Sequence, residues 1–268
     1  MVLTDRSVIL IGCGRLGSSL VEGWLKTGGL DLRQLIIVTP SSKPVAEAAR
    51  EKGALINPGD EVLARADRVI LGVKPAMWRQ VATEMDGKLA ADALIISMMA
   101  GVRASALSDG FKPRPVARVM PTTSMAVGEG VASIWAESDE NLDKVRGLFA
   151  PVAKVVGLAE DGLMDAATAV SGSGQAYFFA FVEALTKAGV EQGLSPDQAA
   201  ALASGTLISA AAAMKDGARA EDLIARVASP GGTTRAALDV FAKDGSLERL
   251  VSDAAAAAVA RAAELSGS

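Results

Sequence analysis

Residues 8–17 read VILIGCGRLG, an apolar run that leads directly into a glycine-rich turn. A short stretch of Val, Ile and Leu that ends at a turn is typical of a buried parallel β-strand. Leu16, Leu20 and Trp24 follow at helical spacing and predict an amphipathic helix after the turn. Strand, G-x-G-x-x-G and helix in this order predict a dinucleotide site, with the pyrophosphate at the helix N-terminus.

The three glycines of this turn have different predicted roles. We expect Gly12 to make the tight turn, Gly14 to let the backbone approach the pyrophosphate, and Gly17 to let the helix pack closely on the strand. The alternative is a glycine-rich turn without a ligand, which the flanking strand and helix disfavour. The predicted cofactor-binding turn comprises Gly12, Cys13, Gly14, Arg15, Leu16 and Gly17.

Cofactor preference depends on the residues that follow the second predicted strand. A site for NAD carries an acidic residue there, which bonds the ribose 2′-hydroxyl, but residues 39–43 read TPSSK and contain no acid. Ser41, Ser42 and Lys43 offer two hydroxyls and a cation, which suit the 2′-phosphate of NADP. The sequence predicts NADPH as the cofactor, with NADH as the second choice. The alternative is a solvated loop that happens to contain Ser and Lys.

Two further loops are expected at the same edge of the sheet. Val73, Lys74 and Pro75 follow the fourth predicted strand, and Ala100 and Gly101 follow the fifth. In an open α/β sheet the ligand crevice lies outside the carboxyl ends of the strands. We therefore expect Lys74 to lie along the cofactor or to cap the crevice, and Ala100 and Gly101 to approach the nicotinamide.

The absence of histidine restricts the chemistry. Histidine is the commonest general acid or base and the commonest metal ligand, so dehydrogenation assisted by an imidazole is excluded. With a single cysteine, Cys13, the usual ligand set of a zinc site cannot be assembled and no disulfide can form within the chain. We predict no metal site, and we expect proton transfer to involve hydroxyls, Lys, carboxylates, Tyr177 or water.

Charge and hydropathy restrict the partners. The chain has 27 Lys and Arg against 31 Asp and Glu, a net charge of −4, and the two signs are interspersed, so it lacks a basic surface for nucleic acid or an anionic membrane. The apolar stretch 199–214 is shorter than the about 20 residues of a membrane-spanning helix, and residues 1–7 do not resemble a signal peptide. We predict a cytoplasmic protein that binds a small-molecule substrate, and neither nucleic acid nor a membrane.

Short apolar runs alternate with helical patterns in the first part of the chain. This βαβ rhythm predicts an α/β fold with an N-terminal Rossmann-type, doubly wound sheet. The predicted helices there are 16–26, 45–52, 75–85 and 141–149. The predicted strands are Val8–Ile11, Leu35–Val38, Ala54–Ile56, Val69–Val73, Leu94–Ser97, Val116–Met120, Val131–Trp135 and Lys154–Gly157.

The strand pattern stops at about Asp161, where Ala- and Leu-rich helical segments begin. Ser195-Pro196 predicts a helix start, Gly217 a helix end, and Ala220–Asp222 a further helix start. The predicted domains are therefore a dinucleotide-binding domain over residues 1–160 and an all-α domain over residues 161–268.

Three strings resemble signature segments of the pyrroline-5-carboxylate reductases. They are RVMPTT at 118–123 with GEG at 128–130, VSGSGQAY at 170–177, and SPGGTT at 229–234. The glycine turn and the segments VKP (73–75) and MAGV (99–102) belong to the same resemblance, which extends from about residue 7 to the C-terminal region. The SPGGTT string is its most specific part.

The resemblance implies reduction of Δ1-pyrroline-5-carboxylate to L-proline with NAD(P)H. It also implies that the all-α domain is a dimerisation and substrate-binding domain, so that a homodimer, or a higher homo-oligomer built from dimers, shares each active site between two subunits. In such a site Ser229 and the backbone of Gly231, Gly232 and Thr233 hold the substrate carboxylate. The catalytic Thr234 binds the substrate at its ring nitrogen.

The residues themselves agree with this chemistry. A Gly-Gly-Thr-Thr turn before the predicted helix Arg235–Phe241 offers free amides and a helix dipole to a carboxylate. A protonated iminium is already electrophilic, so a hydroxyl group is sufficient for the remaining proton transfer and no histidine is needed. Taken without the resemblance, Thr233 and Thr234 are better explained as N-caps of that helix.

The sequence departs from the family pattern at three positions. Thr122 stands where Asn is usual, Ser124 where Pro is usual, and Gln175 where Pro is usual. The first two put in doubt any hydrogen bond that the Asn makes to cofactor or substrate. Gln175 is expected to alter only a helix start, where Pro serves as a first-turn residue.

Two other functions stay open at this point. One is another two-domain NADPH enzyme, an imine reductase or a β-hydroxyacid dehydrogenase; the latter normally has a lysine near a glycine-rich helix start, and Lys187 lies too far along the helix from Ser173. The other is a catalytically silent NADPH-binding regulator, which is expected to lose the loop 229–234. That loop is intact.

Overall fold

A computed structural model of the chain describes residues 7–215 and 217–266. All eight predicted strands are present, with one notable shift: the fourth strand begins earlier than predicted, at Ala66, and ends before Val73. The strands are β1 (Ser7–Ile11), β2 (Leu35–Val38), β3 (Leu55–Ile56), β4 (Ala66–Leu71), β5 (Leu94–Ser97), β6 (Val116–Pro121), β7 (Gly130–Ala136) and β8 (Ala153–Gly157).

The strands form one sheet in the order β3-β2-β1-β4-β5-β6-β7-β8. Strand β1 pairs in parallel with both β2 and β4, so the strand order reverses at β1. The predicted doubly wound sheet is therefore confirmed. Strand β7 runs antiparallel to β6, with Trp135 opposite Arg118, and β8 returns parallel to β7.

Helices cover both faces of the sheet. The helices are α1 (Arg15–Thr27), α2 (Pro44–Glu51), α3 (Asp60–Leu63), α4 (Trp78–Met85), α5 (Ala104–Phe111), α6 (Asp139–Phe149), α7 (Met164–Ala167), α8 (Gly174–Glu191), α9 (Pro196–Met214), α10 (Ala220–Val227), α11 (Thr233–Ala242) and α12 (Ser246–Ser266). Side chains of α1, α2 and α6 form one core with Val8 and Leu10, and those of α3, α4 and α5 form the other with Ile9 and Ile11. The alternation along β1 buries both of its faces, which explains its continuous apolar run.

The predicted helices of the first part are present, with small shifts at their ends. One predicted helix, 75–85, differs at its start, where Pro75–Met77 forms a 3₁₀ turn and the α-helix α4 follows. Pro75 fits this start because proline is tolerated where the N–H has no helical partner.

The chain divides into two compact units, one comprising the residues up to Gly172 and from Ala258 onward, the other Ser173–Ala257. In the second unit Ser195 caps α9, and its side chain and that of Gln198 bond each other's backbone N–H, as the Ser195-Pro196 pair predicts. Helix α10 begins at Ala220, also as predicted. No helix among the described residues is long and apolar enough to cross a membrane.

Candidate active site

The glycine turn after β1 is built by close backbone contacts. Gly12 has φ +95°, and a methyl group added there would lie 2.9 Å from the carbonyl of Gly72. A methyl group on Gly17 would lie 2.3 Å from the carbonyl oxygen of Gly12. Around Gly14, by contrast, only the carbonyl oxygen of Gly72 comes within reach, at 3.8 Å. Packing therefore requires the first and third glycines, whereas the second faces open space.

Helix α1 begins at this open space with an uncapped first turn. Its N-cap is Gly14, which has no side chain to bond the first backbone N–H groups, and the first turn carries no acidic residue. Such a helix start presents free N–H groups and the positive end of the helix dipole. This arrangement suits a phosphate group.

Cys13 contributes to the turn through its backbone position and not through a reactive thiol. Ser18 donates a hydrogen bond from Oγ to the Cys13 carbonyl oxygen at 3.1 Å, and its Oγ lies 3.6 Å from the Cys13 Sγ. Burial raises the pKa of the Cys13 thiol, partly offset by the Ser18 bond and by the positive charge of Lys43. The thiol therefore stays protonated at neutral pH, in which state it is a poor nucleophile.

The carboxyl ends of four neighbouring strands meet at this turn. The backbone N–H of Gly12 donates to Val38 at the end of β2, and that of Gly72 donates to Ile11 at the end of β1. The N–H of Met98 donates to Leu71 at the end of β4. The hydrogen-bond ladder thus continues one residue beyond the strands. It places the carboxyl ends of β2, β1, β4 and β5 side by side. The predicted cofactor residues follow these four strand ends in the sequence: Gly12, Cys13, Gly14, Arg15, Leu16, Gly17, Ser41, Ser42, Lys43, Val73, Lys74, Pro75, Ala100 and Gly101.

Asn57 holds the chain where it leaves β2, a role that was not predicted from the sequence. Its Oδ1 accepts the Thr39 N–H at 2.9 Å, and its Nδ2 donates to the Thr39 carbonyl oxygen at 2.9 Å. Asn57 itself has φ +48°, a conformation that Asn tolerates better than most residues. The one available signal was the Asn-Pro-Gly string after β3, which marks a turn.

The loop from Ser41 to Lys43 presents polar groups beside the glycine turn. Ser41 is exposed, and the Ser42 Oγ donates to Glu47 at 3.3 Å. Glu47 also forms an ion pair with Arg50 at 2.7 Å, which neutralises its charge. Lys43 is the N-cap residue of α2, and its charge acts on the Cys13 thiol. The loop therefore offers hydroxyls and a cation without an unpaired carboxylate.

The loop Ser229–Thr234 lies in the helical unit and ends in an uncapped helix start. Gly231 has φ +73°, and the Gly232 N–H donates to the Ser229 carbonyl oxygen at 3.0 Å. Helix α11 begins at Thr233, two residues earlier than predicted, and its N-cap is Gly232 without a side-chain bond. The alternative explanation of Thr233 and Thr234 as N-caps is therefore wrong. Neither hydroxyl has a partner among the described residues, so both are available to a ligand.

Comparisons with known proteins assign the family. A family model described as pyrroline-5-carboxylate reductase dimerisation matches residues 161–265, and one described as NADP oxidoreductase, coenzyme F420-dependent, matches residues 7–101. The pyrroline-5-carboxylate reductase of Pseudomonas aeruginosa is 35% identical over 264 residues, covering 96% of each chain. The chain belongs to the pyrroline-5-carboxylate reductase family.

Solved structures of reductases from this family share the fold over the full chain. The pyrroline-5-carboxylate reductase of Coxiella burnetii is 28% identical, with a TM-score of 0.89, over 98% of this chain and 99% of its own. The pyrroline carboxylate reductase of Plasmodium falciparum, solved with NADP bound, has a TM-score of 0.81 at 24% identity, over 99% of this chain and 100% of its own. The predicted fold class of an N-terminal Rossmann-type sheet followed by an all-α dimerisation domain is confirmed.

Two departures from the pyrroline-5-carboxylate reductase pattern form a local pair in the structure. The Thr122 Oγ1 accepts the Val131 N–H at 3.0 Å and lies 3.2 Å from the Ser124 Oγ. Thr122 is buried, and its own N–H donates to the Val131 carbonyl oxygen. In this member of the family, Thr122 thus stabilises the β6–β7 connection with its side chain and its backbone.

Proposed function

We propose that the protein reduces Δ1-pyrroline-5-carboxylate to L-proline with NADPH. The loop Ser229–Thr234 carries this proposal, because it combines an uncapped helix start with two hydroxyls that have no partner among the described residues. A carboxylate and a ring nitrogen are the two polar groups of the substrate, and this loop offers donors for both. Family membership supports the same reaction.

The carboxyl edge of the sheet fits a phosphorylated dinucleotide. The turn Gly12–Gly17 would hold the pyrophosphate at its open second glycine. Val73, Lys74 and Pro75 would lie along the cofactor, and Ala100 and Gly101 would lie beside the nicotinamide. Bound NADPH supplies the hydride for the reaction.

Ser41, Ser42 and Lys43 would select NADPH over NADH. Their hydroxyls and ammonium group would donate to the 2′-phosphate, and no acidic residue stands at the end of β2 to bond a free 2′-hydroxyl. Asn57 supports this role by fixing Thr39, from which the loop departs.

Substrate binding would use Ser229, Gly231, Gly232, Thr233 and Thr234. The first-turn N–H groups of α11 and the Ser229 hydroxyl would hold the carboxylate, which the helix dipole favours. The Thr234 hydroxyl would hydrogen-bond the ring nitrogen and hold its proton there, so that the carbon of the C=N bond stays electrophilic. This role needs neither an imidazole nor a metal, which agrees with the residues available in the sequence.

A homodimer, or a higher homo-oligomer built from dimers, would complete the helical unit. Several large apolar side chains of this unit are exposed within the chain, among them Phe178 (63%), Ile208 (71%) and Leu250 (69%). Helices α10 and α11 contain no buried residue. Exposed apolar surface of this extent marks an interaction site, and the matched dimerisation model supports a second copy as the partner.

We also propose the cytoplasm as the location. The one cysteine, Cys13, is a free thiol and offers the fold no disulfide, as is usual in a reducing compartment. Fractionation of cells that express the full chain, with detection by a specific antibody, checks this location.

The direct test is oxidation of NADPH, followed at 340 nm with Δ1-pyrroline-5-carboxylate as substrate. Proline is then identified by chiral amino-acid analysis, and a six-membered piperideine carboxylate and a ketone serve as comparison substrates. We expect rapid oxidation with the five-membered imine, slower oxidation with the six-membered one and none with the ketone. Equal rates with all three, or no proline, would contradict the proposal.

A further inference from the structure

Two arginine–aspartate ion pairs connect the turn after β5 and strand β6 to the segment that follows β8. Arg118 on β6 donates from Nη1 to the Asp161 Oδ1 at 2.5 Å. Arg103, the residue before α5, donates from Nη2 to the Asp165 Oδ2 at 2.8 Å. We call these four side chains the Arg–Asp latch.

Each ion pair of the latch includes one buried side chain. The side chains of Arg118 and its partner Asp161 are 2% and 19% exposed, and those of Asp165 and its partner Arg103 are 8% and 36% exposed. The pair of Lys112 with Asp109 on α5 is more than 70% exposed on both sides. Exposed pairs contribute little to stability, but removing one partner of a buried pair is strongly destabilising. The Arg118 Nε is buried and has no hydrogen-bond partner among the described residues. An unsatisfied buried donor lowers the stability of the fold.

Asp161 also caps helix α5 from outside that helix. Its Oδ2 accepts the backbone N–H of Ala104, the first residue of α5, at 3.2 Å. Arg103 stands at the N-cap position and gives no side-chain cap. Asp161 therefore satisfies a first-turn N–H that would otherwise lack a partner and places a carboxylate at the positive end of the helix dipole.

These bonds fix the β5–α5 turn, residues 98–103, at both ends. At its start the Met99 N–H donates to the Ser97 Oγ at 3.2 Å, and the Met98 N–H donates to Leu71. At its end the latch holds Arg103 and Ala104. Between them Gly101 has φ +73° and is buried. The turn thus has little freedom as long as the latch is closed.

We propose that the Arg–Asp latch holds the β5–α5 turn where the nicotinamide ring must lie, which makes Arg103 and Arg118 positioning residues for hydride transfer. This inference rests on the proposed function, in which Ala100 and Gly101 approach the nicotinamide. The predicted phosphate-binding groups lie elsewhere, on the turn after β1 and the loop after β2. Opening the latch should therefore loosen the nicotinamide end of the cofactor and leave the phosphate end unchanged.

Binding measurements test this separation without turnover. Isothermal titration compares NADPH with 2′-phospho-ADP-ribose, which carries both phosphate sites but no nicotinamide. For Asp165→Asn we expect the NADPH Kd to rise at least fivefold and the Kd of the fragment to stay within twofold. Arg103→Lys keeps the positive charge beside Asp165 and should retain most of the NADPH affinity of the wild-type chain. Asp109→Asn removes an exposed pair on the same helix and should change neither Kd.

A kinetic isotope effect gives the second readout. With NADPH deuterated at the transferred C4 position, Asp165→Asn should lower kcat at least tenfold and raise the primary isotope effect on kcat, whereas partial unfolding lowers kcat alone. Equal changes of both Kd values, or an unchanged isotope effect, would overturn the proposal. If the wild-type chain binds NADPH but does not reduce the imine, the proposed function fails, and the ratio of the two Kd values still decides the role of the latch.

Discussion

Replacing Thr234 by alanine removes the hydroxyl that we assign to the substrate ring nitrogen. A hydrogen bond lost in the transition state costs about 2–4 kcal/mol, by analogy with an oxyanion-hole donor. At about 1.36 kcal/mol per tenfold change in rate, kcat should fall by about 30- to 900-fold. The NADPH Kd should stay within about twofold, because we place the cofactor phosphates at the separate turn Gly12–Gly17.

The structure separates this effect from a loss of stability. Gly232 is the N-cap of α11 and Thr234 makes no side-chain cap, so alanine at 234 removes no capping bond. Alanine also has a helix propensity that is better than that of threonine by up to about 0.7 kcal/mol. The melting temperature should therefore stay constant or rise slightly.

Two matched variants complete the experiment, with turnover, NADPH binding and melting temperature measured on the same samples. Thr234→Ser keeps the hydroxyl and should recover much of the rate. Thr233→Ala should have a milder effect than Thr234→Ala, because we assign Thr233 a role through its backbone N–H. A stable Thr234→Ala protein with wild-type turnover would remove the residue from the mechanism. A rate that falls only in proportion to unfolded protein would assign Thr234 to stability.

The glycine turn, the cofactor loop and the subunit interface each give one further prediction. Gly17→Ala forces a methyl group against the Gly12 carbonyl oxygen and should destabilise the fold by about 1–3 kcal/mol or more in thermal unfolding; Gly14→Ala should keep the melting temperature and weaken NADPH binding, and the reverse pattern would refute the assigned roles. Replacing Ser41 by Asp and Lys43 by Ala should raise the KM for NADPH far more than that for NADH, and an unchanged ratio would show that the loop does not contact the 2′-phosphate. Light scattering at micromolar concentration should give at least a dimer, whereas a stable active monomer would exclude a shared active site.

The central strands β1, β2 and β5 could be predicted from the sequence because both of their faces are almost entirely buried. Each then appears as an uninterrupted run of Val, Ile and Leu, which needs no knowledge of its neighbours. The start of β4 was missed because Asp67 and Arg68 interrupt that run; they form an ion pair at 3.0 Å at the strand start. The antiparallel direction of β7 was not predictable either, since an apolar run has no direction.

The candidate site was only partly predictable for a related reason. The glycine turn is a local feature, so the spacing of its glycines alone indicates where the backbone turns tightly and where it packs closely. Asn57 bonds Thr39, which lies 18 positions away in the chain, and Arg103 bonds Asp165, which lies 62 positions away. A single sequence gives no sign of such pairings. The domain boundary at residue 160 stays a prediction, since it follows the change in secondary structure, whereas the compact units follow packing and divide after Gly172.

The two hydrogen bonds between Asn57 and Thr39 affect how the cofactor preference of such an enzyme could change during evolution. Both hydrogen bonds end on main-chain atoms of Thr39, so they hold the path of the loop whatever side chains come next. The residues proposed to recognise the extra phosphate sit beyond that anchor, and Ser41 and Ser42 are exposed, outside the core. A lineage with this arrangement can change its preference between NADPH and NADH through a few surface substitutions, without changing the scaffold that orients the reaction.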